Sequence, residues 1–196
     1  MPAPGAVRRG AVGAAVRAAV AVAAAAVPEK QGARVHAYPA YVGLGSNLRD
    51  PAAQVEAAFT ALGELPRTRL VCRSALYGSK PMGEVAQPDF CNAVAGLLTE
   101  LGAAEVLAAM REVERRFGRE PERIRWGPRV LDLDLLSYAE LRSADPALLL
   151  PHPGIAARAF VLHPWREITP DVLVPGLGRV AELAARVPAE GLWRMS

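Results

Sequence analysis

The sequence predicts an α+β domain with a mainly antiparallel sheet. Hydrophobic residues make up 52% of the 196 positions and charged residues 22%, so the chain can bury a core. Apolar runs typical of strands alternate with segments whose apolar residues repeat at helical spacing, in the order β-α-β-β-α-β. Two βαβ-like halves of this kind predict a ferredoxin-like split βαβ sandwich, with added helices after it. In that sandwich the helices cover one face of the sheet.

The first half begins with a buried strand over residues 39–45. Asp50 and Pro51 then supply an N-cap and a proline at the first helical position. The apolar residues of the helix that follows recur at i, i+3, i+4 and i+7 and form one stripe: Val55, Ala58, Phe59 and Leu62. A second strand is predicted over residues 70–77.

The second half begins after a loop over residues 78–89 that is rich in proline and glycine. A third strand is predicted over residues 90–98, and a helix follows that Gly118 can terminate in the left-handed conformation. One face of this helix is apolar: Val106, Met110, Val113 and Phe117. A charged loop over 119–128 leads to a fourth strand over 130–138, and a turn at 151–153 precedes a helical stretch around 157–167.

Residues 1–36 are predicted to be an Ala-rich extension outside the domain, which spans residues 37–196. Residues 11–27 contain ten alanines and five valines. A basic, alanine-rich start also has features of a secretory signal or an organellar transit peptide. Because Arg17 interrupts the apolar run and the run is short for a membrane span, we expect a disordered or loosely helical extension. The protein is expected to be cytoplasmic and to have no membrane partner.

Charge and cysteine content exclude several classes of function. The net charge is +3, but residues 1–36 hold five basic side chains and one acidic one, so the domain itself is close to neutral. The overall charge therefore does not indicate a nucleic-acid-binding face. Cys72 and Cys91 are too few for a disulfide framework, lie in apolar strand patterns and are expected in the core of a protein from a reducing compartment. With three histidines in the chain, a catalytic zinc site is poorly supported.

Asp132 and Asp134 are the sharpest chemical signal in the sequence. They lie two residues apart in the fourth predicted strand, so both project to one face while the leucines between and around them project to the other. Two such carboxylates can bind magnesium together with substrate phosphates. Taken alone, the pattern also fits the polar outer face of a half-exposed strand.

An arginine-rich segment precedes the aspartate pair. Residues 111–129 contain seven arginines against four glutamates. The planar guanidinium group suits phosphate oxygens, although such a run also fits a solvated helix face with i, i+4 ion pairs. An alternative function is therefore a non-enzymatic nucleotide- or RNA-binding ferredoxin-like module that uses this segment.

Residues 43–48 (GLGSNL), at the end of the first predicted strand and before the helix, resemble a dinucleotide-binding loop, which raises a dinucleotide-dependent reductase as a third function. The third glycine of that motif is missing, and a tight turn alone would explain both glycines. No P-loop motif occurs anywhere in the chain.

Four segments together resemble one enzyme family. They are residues 41–48 (YVGLGSNL), 87–94 (QPDFCNAV), 125–136 (RWGPRVLDLDLL) and 150–153 (LPHP) with 158–160 (RAF). They resemble the 6-hydroxymethyl-7,8-dihydropterin pyrophosphokinases of folate biosynthesis, over residues 38 to the C-terminus. The resemblance implies a ferredoxin-like fold and transfer of the β,γ-pyrophosphoryl group of ATP to the pterin hydroxymethyl oxygen, with two Mg²⁺ ions and release of AMP.

The resemblance also implies the roles of individual residues. Asp132 and Asp134 would bind both Mg²⁺ ions, and Arg119 and Arg129 would join them as catalytic residues, Arg119 from a mobile loop. The ATP-binding residues would be Arg111, Glu114, Arg119, Arg129, His152 and Arg158. The pterin-binding residues would be Ser79, Lys80, Met82, Phe90, Asn92, Trp126 and Phe160, with the two phenylalanines on either side of the ring, Asn92 at its edge and Trp126 closing over it.

Three positions depart from the family pattern. Arg111 stands where the family often has glutamine near the adenine, and Pro153 stands where some members have tyrosine. Pro121 replaces a loop arginine for which Arg123 can substitute. The implied partners are the two small-molecule substrates, with no nucleic acid, and the protein is expected to be a monomer.

Overall fold

A β-sheet with helices packed on both faces forms the body of the protein. The computed structural model describes residues 36–82, 86–118 and 127–196. Of the features predicted above, residues 1–35 of the extension, Arg119, Trp126 and the rest of 119–126 lie outside the described residues.

The elements follow one another in nearly the predicted order. They are β1 (Tyr38–Ser46), α1 (Pro51–Gly63), β2 (Thr68–Arg73), β3 (Tyr77–Ser79), β4 (Phe90–Thr99), α2 (Ala103–Arg116), β5 (Asp132–Tyr138), a 3₁₀ turn (Ile155–Ala157), α3 (Ala159–Ile168), β6 (Leu173–Val174), β7 (Gly178–Arg179), α4 (Val180–Arg186) and β8 (Leu192–Arg194).

The main sheet has the strand order β5-β1-β4-β3-β8, and β2 pairs with the other end of β4. Each of these pairs is antiparallel. In terms of the four predicted strands, the order is fourth, first, third, second, with the first and third at the centre. The prediction of an α+β, ferredoxin-like, mainly antiparallel fold is confirmed.

Local signals place α1 and α2. The side chain of Asp50 accepts a hydrogen bond from the Ala53 N–H at 3.1 Å, and Pro51 occupies the first helical position, as predicted. Gly118, which follows the C-cap residue Phe117 of α2, has a φ of +89°, the left-handed conformation predicted for the helix end. The predicted apolar stripe of α1 is at most 1% exposed: Val55, Ala58, Phe59 and Leu62.

Two cores hold the layers together. The larger core lies between the sheet and the helices α1 and α2, where Phe59 and Met110 contribute buried side chains. On the opposite face, Tyr41 of β1 packs against Trp165 of α3, with ring centroids 4.9 Å apart. The prediction that helices cover one face therefore holds for α1 and α2 only, because α3 and α4 cover part of the other face.

The second predicted strand was wrong in its extent. Residues 70–77 contain the end of β2, a break at 74–76 and the start of β3. At the break the Ser74 hydroxyl accepts from the Val94 N–H at 3.0 Å, so a side chain replaces a backbone acceptor of the ladder. The prediction also lacked the short elements β6, β7, α4 and β8. Within the described ranges, no helix has the length and apolar character needed to cross a membrane.

Candidate active site

A row of paired residues crosses the sheet on the face that carries α3. Asn92 of β4 pairs with Gly45 of β1, and Gly45 pairs in turn with Asp132 of β5. Residues paired across antiparallel strands project to the same face. The backbones of Asn92 and Asp132 are thus two strand spacings, or about 10 Å, apart. Because Gly45 has no side chain, an open strip lies between them.

This strip forms the floor of a cavity of about 240 Å³. Its walls come from β1, β3, β4 and β5, from the segment before α3, and from α3 itself. Eleven of the predicted site residues line it: Ser79, Lys80, Met82, Phe90, Asn92, Arg129, Asp132, Asp134, His152, Arg158 and Phe160. These eleven residues, separated by up to 81 positions in the chain, are thus brought to one surface.

Asp132 and Asp134 project together from β5, as the strand alternation predicts. Leu133 between them lies in the core under α1 and α2. Burial of Asp134, followed by the nearby charge of Asp132, raises the pKa of the Asp134 carboxyl. The cationic or ionisable neighbours that oppose this rise are His152, Arg158 and Arg129.

An arginine contacts each of the two carboxylates. Arg129 Nη1 donates to Asp132 Oδ2 at 2.5 Å, and Arg158 Nη1 donates to Asp134 Oδ2 at 3.2 Å. This wall therefore offers oxygens that can bind a hard cation beside guanidinium groups that can bind phosphate oxygens.

His152 presents its Nε2 to the same carboxylates. Its Nδ1 accepts from the Gly154 N–H at 3.0 Å, so the proton of the neutral ring lies on Nε2, 3.8 Å from Asp134 Oδ1. Burial lowers the pKa of His152, although the Asp134 charge opposes this. The neutral ring is a hydrogen-bond donor on the cavity wall at neutral pH.

The opposite end of the cavity combines an amide with aromatic surfaces. Asn92 is 4% exposed, and its Nδ2 donates to Ser79 Oγ at 3.0 Å and to the Tyr77 carbonyl at 3.3 Å. These bonds hold the amide so that Oδ1 faces the open strip above Gly45. Phe90 from β4 and Phe160 from α3 add two apolar walls, which suits a flat heterocycle with a polar edge.

Two predicted ATP-binding residues do not line the cavity. Arg111 is exposed on α2. Glu114 is 1% exposed, and its Oε1 accepts from the Leu133 N–H at 2.9 Å. Since β5 is an edge strand of the sheet, this carboxylate bonds a backbone N–H at that edge. The structure therefore places Glu114 behind the aspartate pair, where it supports β5.

The predicted strand over residues 39–45, which includes Gly43 and Gly45, is confirmed, whereas the tight turn that was offered to explain the two glycines is not formed. β1 continues to Ser46, so both glycines lie inside a strand, opposite Asp134 and Asp132 respectively. They line the cavity, and the strand-loop-helix geometry of a dinucleotide-binding turn is not formed there. Sequence reasoning recognised the glycines but could not assign them to the cavity floor, because that depends on which strands flank β1.

In the described ranges, no group of three or more His, Cys, Asp or Glu side chains is arranged to hold a metal ion. A cation at Asp132 and Asp134 would thus share its coordination with substrate oxygens or water, as Mg²⁺ commonly does.

Comparison with known proteins identifies related sequences. A sequence model of the family described as 7,8-dihydro-6-hydroxymethylpterin-pyrophosphokinase (HPPK) matches residues 41–170. A Pseudomonas aeruginosa protein named 2-amino-4-hydroxy-6-hydroxymethyldihydropteridine pyrophosphokinase is 45% identical over 155 residues, which are 79% of this chain and 95% of the relative. A protein of the same name from Methylorubrum extorquens is 42% identical over 156 residues, 80% of this chain and 98% of that protein.

Solved structures agree in fold. A Plasmodium falciparum HPPK-DHPS triple mutant with SDX-DHP superposes with a TM-score of 0.61 at 14% identity and covers 76% of this chain. The matched region is 44% of that longer chain, so this similarity concerns the fold alone. The wild-type form of the same protein gives a TM-score of 0.59 at 13% identity, again over 76% of this chain and 44% of that chain.

Proposed function

The chain belongs to the 7,8-dihydro-6-hydroxymethylpterin-pyrophosphokinase family, a family of pyrophosphoryl transferases of folate biosynthesis, and we propose that its reaction takes place in the cavity above Gly45. The observation that carries this proposal is the open strip between Asn92 and Asp132. It separates an apolar, amide-bearing end from a charged end, as two chemically different substrates require. ATP and 6-hydroxymethyl-7,8-dihydropterin meet along the strip, and the β,γ-pyrophosphoryl group passes to the hydroxymethyl oxygen.

The charged end binds the triphosphate. Arg129 and Arg158 turn guanidinium groups toward this end, and His152 adds an Nε2–H donor. These groups neutralise charge on the phosphate oxygens and hold the β-phosphorus in line with the attacking oxygen. Phosphoryl-type transfer requires little beyond such positioning and electrostatic stabilisation.

Asp132 and Asp134 hold two Mg²⁺ ions in this proposal, and their environment fits that cation. Both are hard oxygen ligands on one strand face, and Asp134 is a partly buried acid beside a second acid, a pairing that a divalent cation favours. Bound Mg²⁺ supplies charge neutralisation on the triphosphate. Arg129 and Arg158 are placed to exchange carboxylate contacts for phosphate contacts when substrate binds.

The apolar end binds the pterin. Phe90 and Phe160 pack on the two faces of the ring, and the Asn92 amide forms hydrogen bonds with its edge. Backbone groups of Ser79, Lys80 and Met82 make the other polar contacts with that edge. Support comes from the bond of Asn92 to Ser79, which fixes the amide before the ligand arrives. Arg119 and Trp126 remain predicted contributors on the grounds of the sequence resemblance.

The purified protein with MgATP and 6-hydroxymethyl-7,8-dihydropterin tests the proposal. We expect AMP as the nucleotide product, detected by phosphorus NMR, because attack is directed to the β-phosphorus. The reaction should stop when EDTA removes Mg²⁺. Accumulation of ADP with the pterin present would contradict pyrophosphoryl transfer, and undiminished AMP formation in EDTA would contradict the role of the aspartate pair.

We also propose the partners, the oligomeric state and the location of the protein. The protein acts on small molecules without a nucleic-acid partner, as a monomer in the cytoplasm. The unpaired thiols of Cys72 and Cys91 fit a reducing compartment. Light scattering of the purified protein and fractionation of the source cells test the oligomeric state and the location.

A further inference from the structure

The side chain of Asn47 joins the beginnings of the two strands that carry the site. Asn47 follows β1 directly and is 1% exposed. Its Nδ2 donates to Gln87 Oε1 at 2.9 Å and to the Pro88 carbonyl at 3.1 Å. Its Oδ1 accepts from the Arg129 N–H at 2.7 Å, and its own N–H donates to the Arg129 carbonyl at 3.0 Å.

Strand pairing ends at this level of the sheet, where the Asn47 N–H to Arg129 carbonyl bond is a backbone link on the β5 side and the Asn47 side chain makes the links to Gln87, Pro88 and the Arg129 N–H. β1 makes its last pair with β4 at Ser46 and its last pair with β5 at Gly45. On the β4 side, the Pro88 carbonyl needs a hydrogen-bond donor, and Pro88 has no N–H of its own. The Arg129 N–H needs an acceptor on the β5 side. A side-chain amide supplies donor and acceptor from one buried residue.

The two linked segments lead into opposite ends of the cavity. Pro88 lies two residues before Phe90, whose ring lines the apolar end. Arg129 lines the charged end and donates to Asp132 at 2.5 Å. A shift of one segment relative to the other would therefore change the distance between the pterin and the phosphorus it attacks.

We propose that Asn47 is a positioning residue for pyrophosphoryl transfer, which fixes the spacing between the pterin-binding start of β4 and the phosphate-binding start of β5. The inference rests on the proposed placement of the two substrates. Asn47 does not line the cavity, so it acts through Arg129 and the segment before Phe90. Small misplacements at a reacting centre can lower the rate on the order of 100-fold, because they remove the near-attack geometry.

Asn47→Ala tests the proposal, with kcat measured as AMP formation per folded molecule and ATP affinity measured by calorimetry. We expect kcat to fall on the order of 100-fold while ATP affinity stays close to the wild-type value. Retention of wild-type kcat, or a loss of ATP affinity with kcat preserved, would overturn the proposal. Wild-type AMP formation in the same assay tests the proposed function separately.

Thr99→Val is the matched control for loss of a buried hydrogen-bonding group. Thr99 is 0% exposed at the far end of β4, and its hydroxyl bonds Thr68 Oγ1 at 2.6 Å and the Leu101 N–H at 3.1 Å. The control should lower the melting temperature and leave kcat per folded molecule unchanged. An equal fall in kcat for the Thr99 variant would show that the effect of Asn47 is merely structural.

A double-mutant cycle with Arg129→Ala tests whether Asn47 affects kcat through Arg129. If Asn47 acts largely by holding Arg129, its substitution should lower kcat much less in the Arg129→Ala background. An equal loss in both backgrounds would contradict the proposal. Should Asn47→Ala fail to fold, Asn47→Ser replaces it, because one hydroxyl keeps a polar group at this buried position but cannot bond both segments. A fall in kcat is expected for this variant as well.

Discussion

At the scale of the residue, Asp132 and Asp134 contribute charge to the cavity rather than packing to a core. Their side chains are partly exposed on the cavity wall, whereas Leu133 and Leu135 beside them are buried under α1 and α2. Burial and the neighbouring Asp132 charge raise the pKa of Asp134 even beside Arg158 and Arg129, so its surroundings disfavour the charged form. A pair held in this way serves ligand binding more than stability.

Asp132→Asn and Asp134→Asn should each lower kcat by at least about a thousandfold, which corresponds to about 4 kcal/mol of barrier. The fold should persist in both variants because neither side chain belongs to a core, and circular dichroism checks this. Asp145→Asn is the control: this exposed carboxylate accepts from the Ala147 N–H, and an amide oxygen can do the same. Near-normal turnover of either site variant at saturating Mg²⁺ would refute the metal assignment.

Gly45→Ala should weaken pterin binding on the order of tenfold, since a methyl group would stand in the open strip. A Cβ at this position would lie 3.5 Å from Asn92 Oδ1, an ordinary contact, so the melting temperature should change little. Gly63→Ala adds a methyl group 3.6 Å from Leu70 at the end of α1 and serves as the control. Unchanged pterin affinity in the Gly45 variant would show that the strip is not occupied by substrate.

At the scale of the element, the C-terminal strand β8 pairs with the strand that leads into the pterin end and forms the edge of the sheet beside it. β8 pairs with β3, which ends at Ser79. The Trp193 ring lies against Gly78, where an added Cβ would come within 2.1 Å of it. The Lys80 ammonium lies 5.7 Å from the centroid of the same ring. The position of Ser79 and Lys80 therefore depends on residues more than one hundred positions later in the chain.

Gly78→Ala should lower the melting temperature and weaken pterin binding, because the Trp193 ring must move away from β3. Fluorescence titration with the pterin and thermal denaturation measure the two effects. In a Trp193→Ala background the clash is absent, so adding Gly78→Ala should have little further effect. Additive losses in the double variant would contradict this contact as the cause.

At the scale of the whole molecule, burial controls the ionisation and therefore the reactivity of the two thiols. Burial raises the pKa of Cys72 and of Cys91 to about 11. At pH 7.5 roughly one thiol in a thousand or fewer is ionised in the folded protein. Cys91 lies in the core as predicted, whereas Cys72 is only partly buried and does not belong to a core.

Labelling with a disulfide reagent at pH 7.5 should therefore be slow in the native protein. The rate should rise about tenfold per pH unit toward the raised pKa, because the thiolate is the reacting form. In urea the pKa returns to its ordinary value and labelling should become fast. A rapid reaction of either thiol in native protein at pH 7.5 would contradict the burial of these side chains.

Deletion of residues 1–36 should leave kcat and the melting temperature nearly unchanged. The segment has no aromatic residue that could anchor it to the domain. The 155 matched residues already account for 95% of the Pseudomonas aeruginosa relative. A fall in melting temperature of several degrees on truncation would show that the segment packs on the domain.

The sequence by itself determined the features that depend on the local geometry of one strand or one helix. Strand alternation placed Asp132 and Asp134 on one face, and helical spacing identified the buried stripe of α1. Capping chemistry located the start of α1 at Asp50 and the end of α2 at Gly118. Each of these features depends on neighbours within a few residues, so one sequence carries the information. The motif resemblance, confirmed by the family comparison, then assigned most residues of the cavity.

Tertiary structure alone decided which elements lie side by side. Gly45 became the cavity floor because β4 and β5 flank β1, and Glu114 became a support for β5 because α2 packs beside that edge. Likewise, the Ser74 hydroxyl interrupts one predicted strand through a bond to Val94. These outcomes depend on groups brought together from distant parts of the chain. The pairing is selected by burial and hydrogen-bond satisfaction over the whole domain, which no local sequence pattern records.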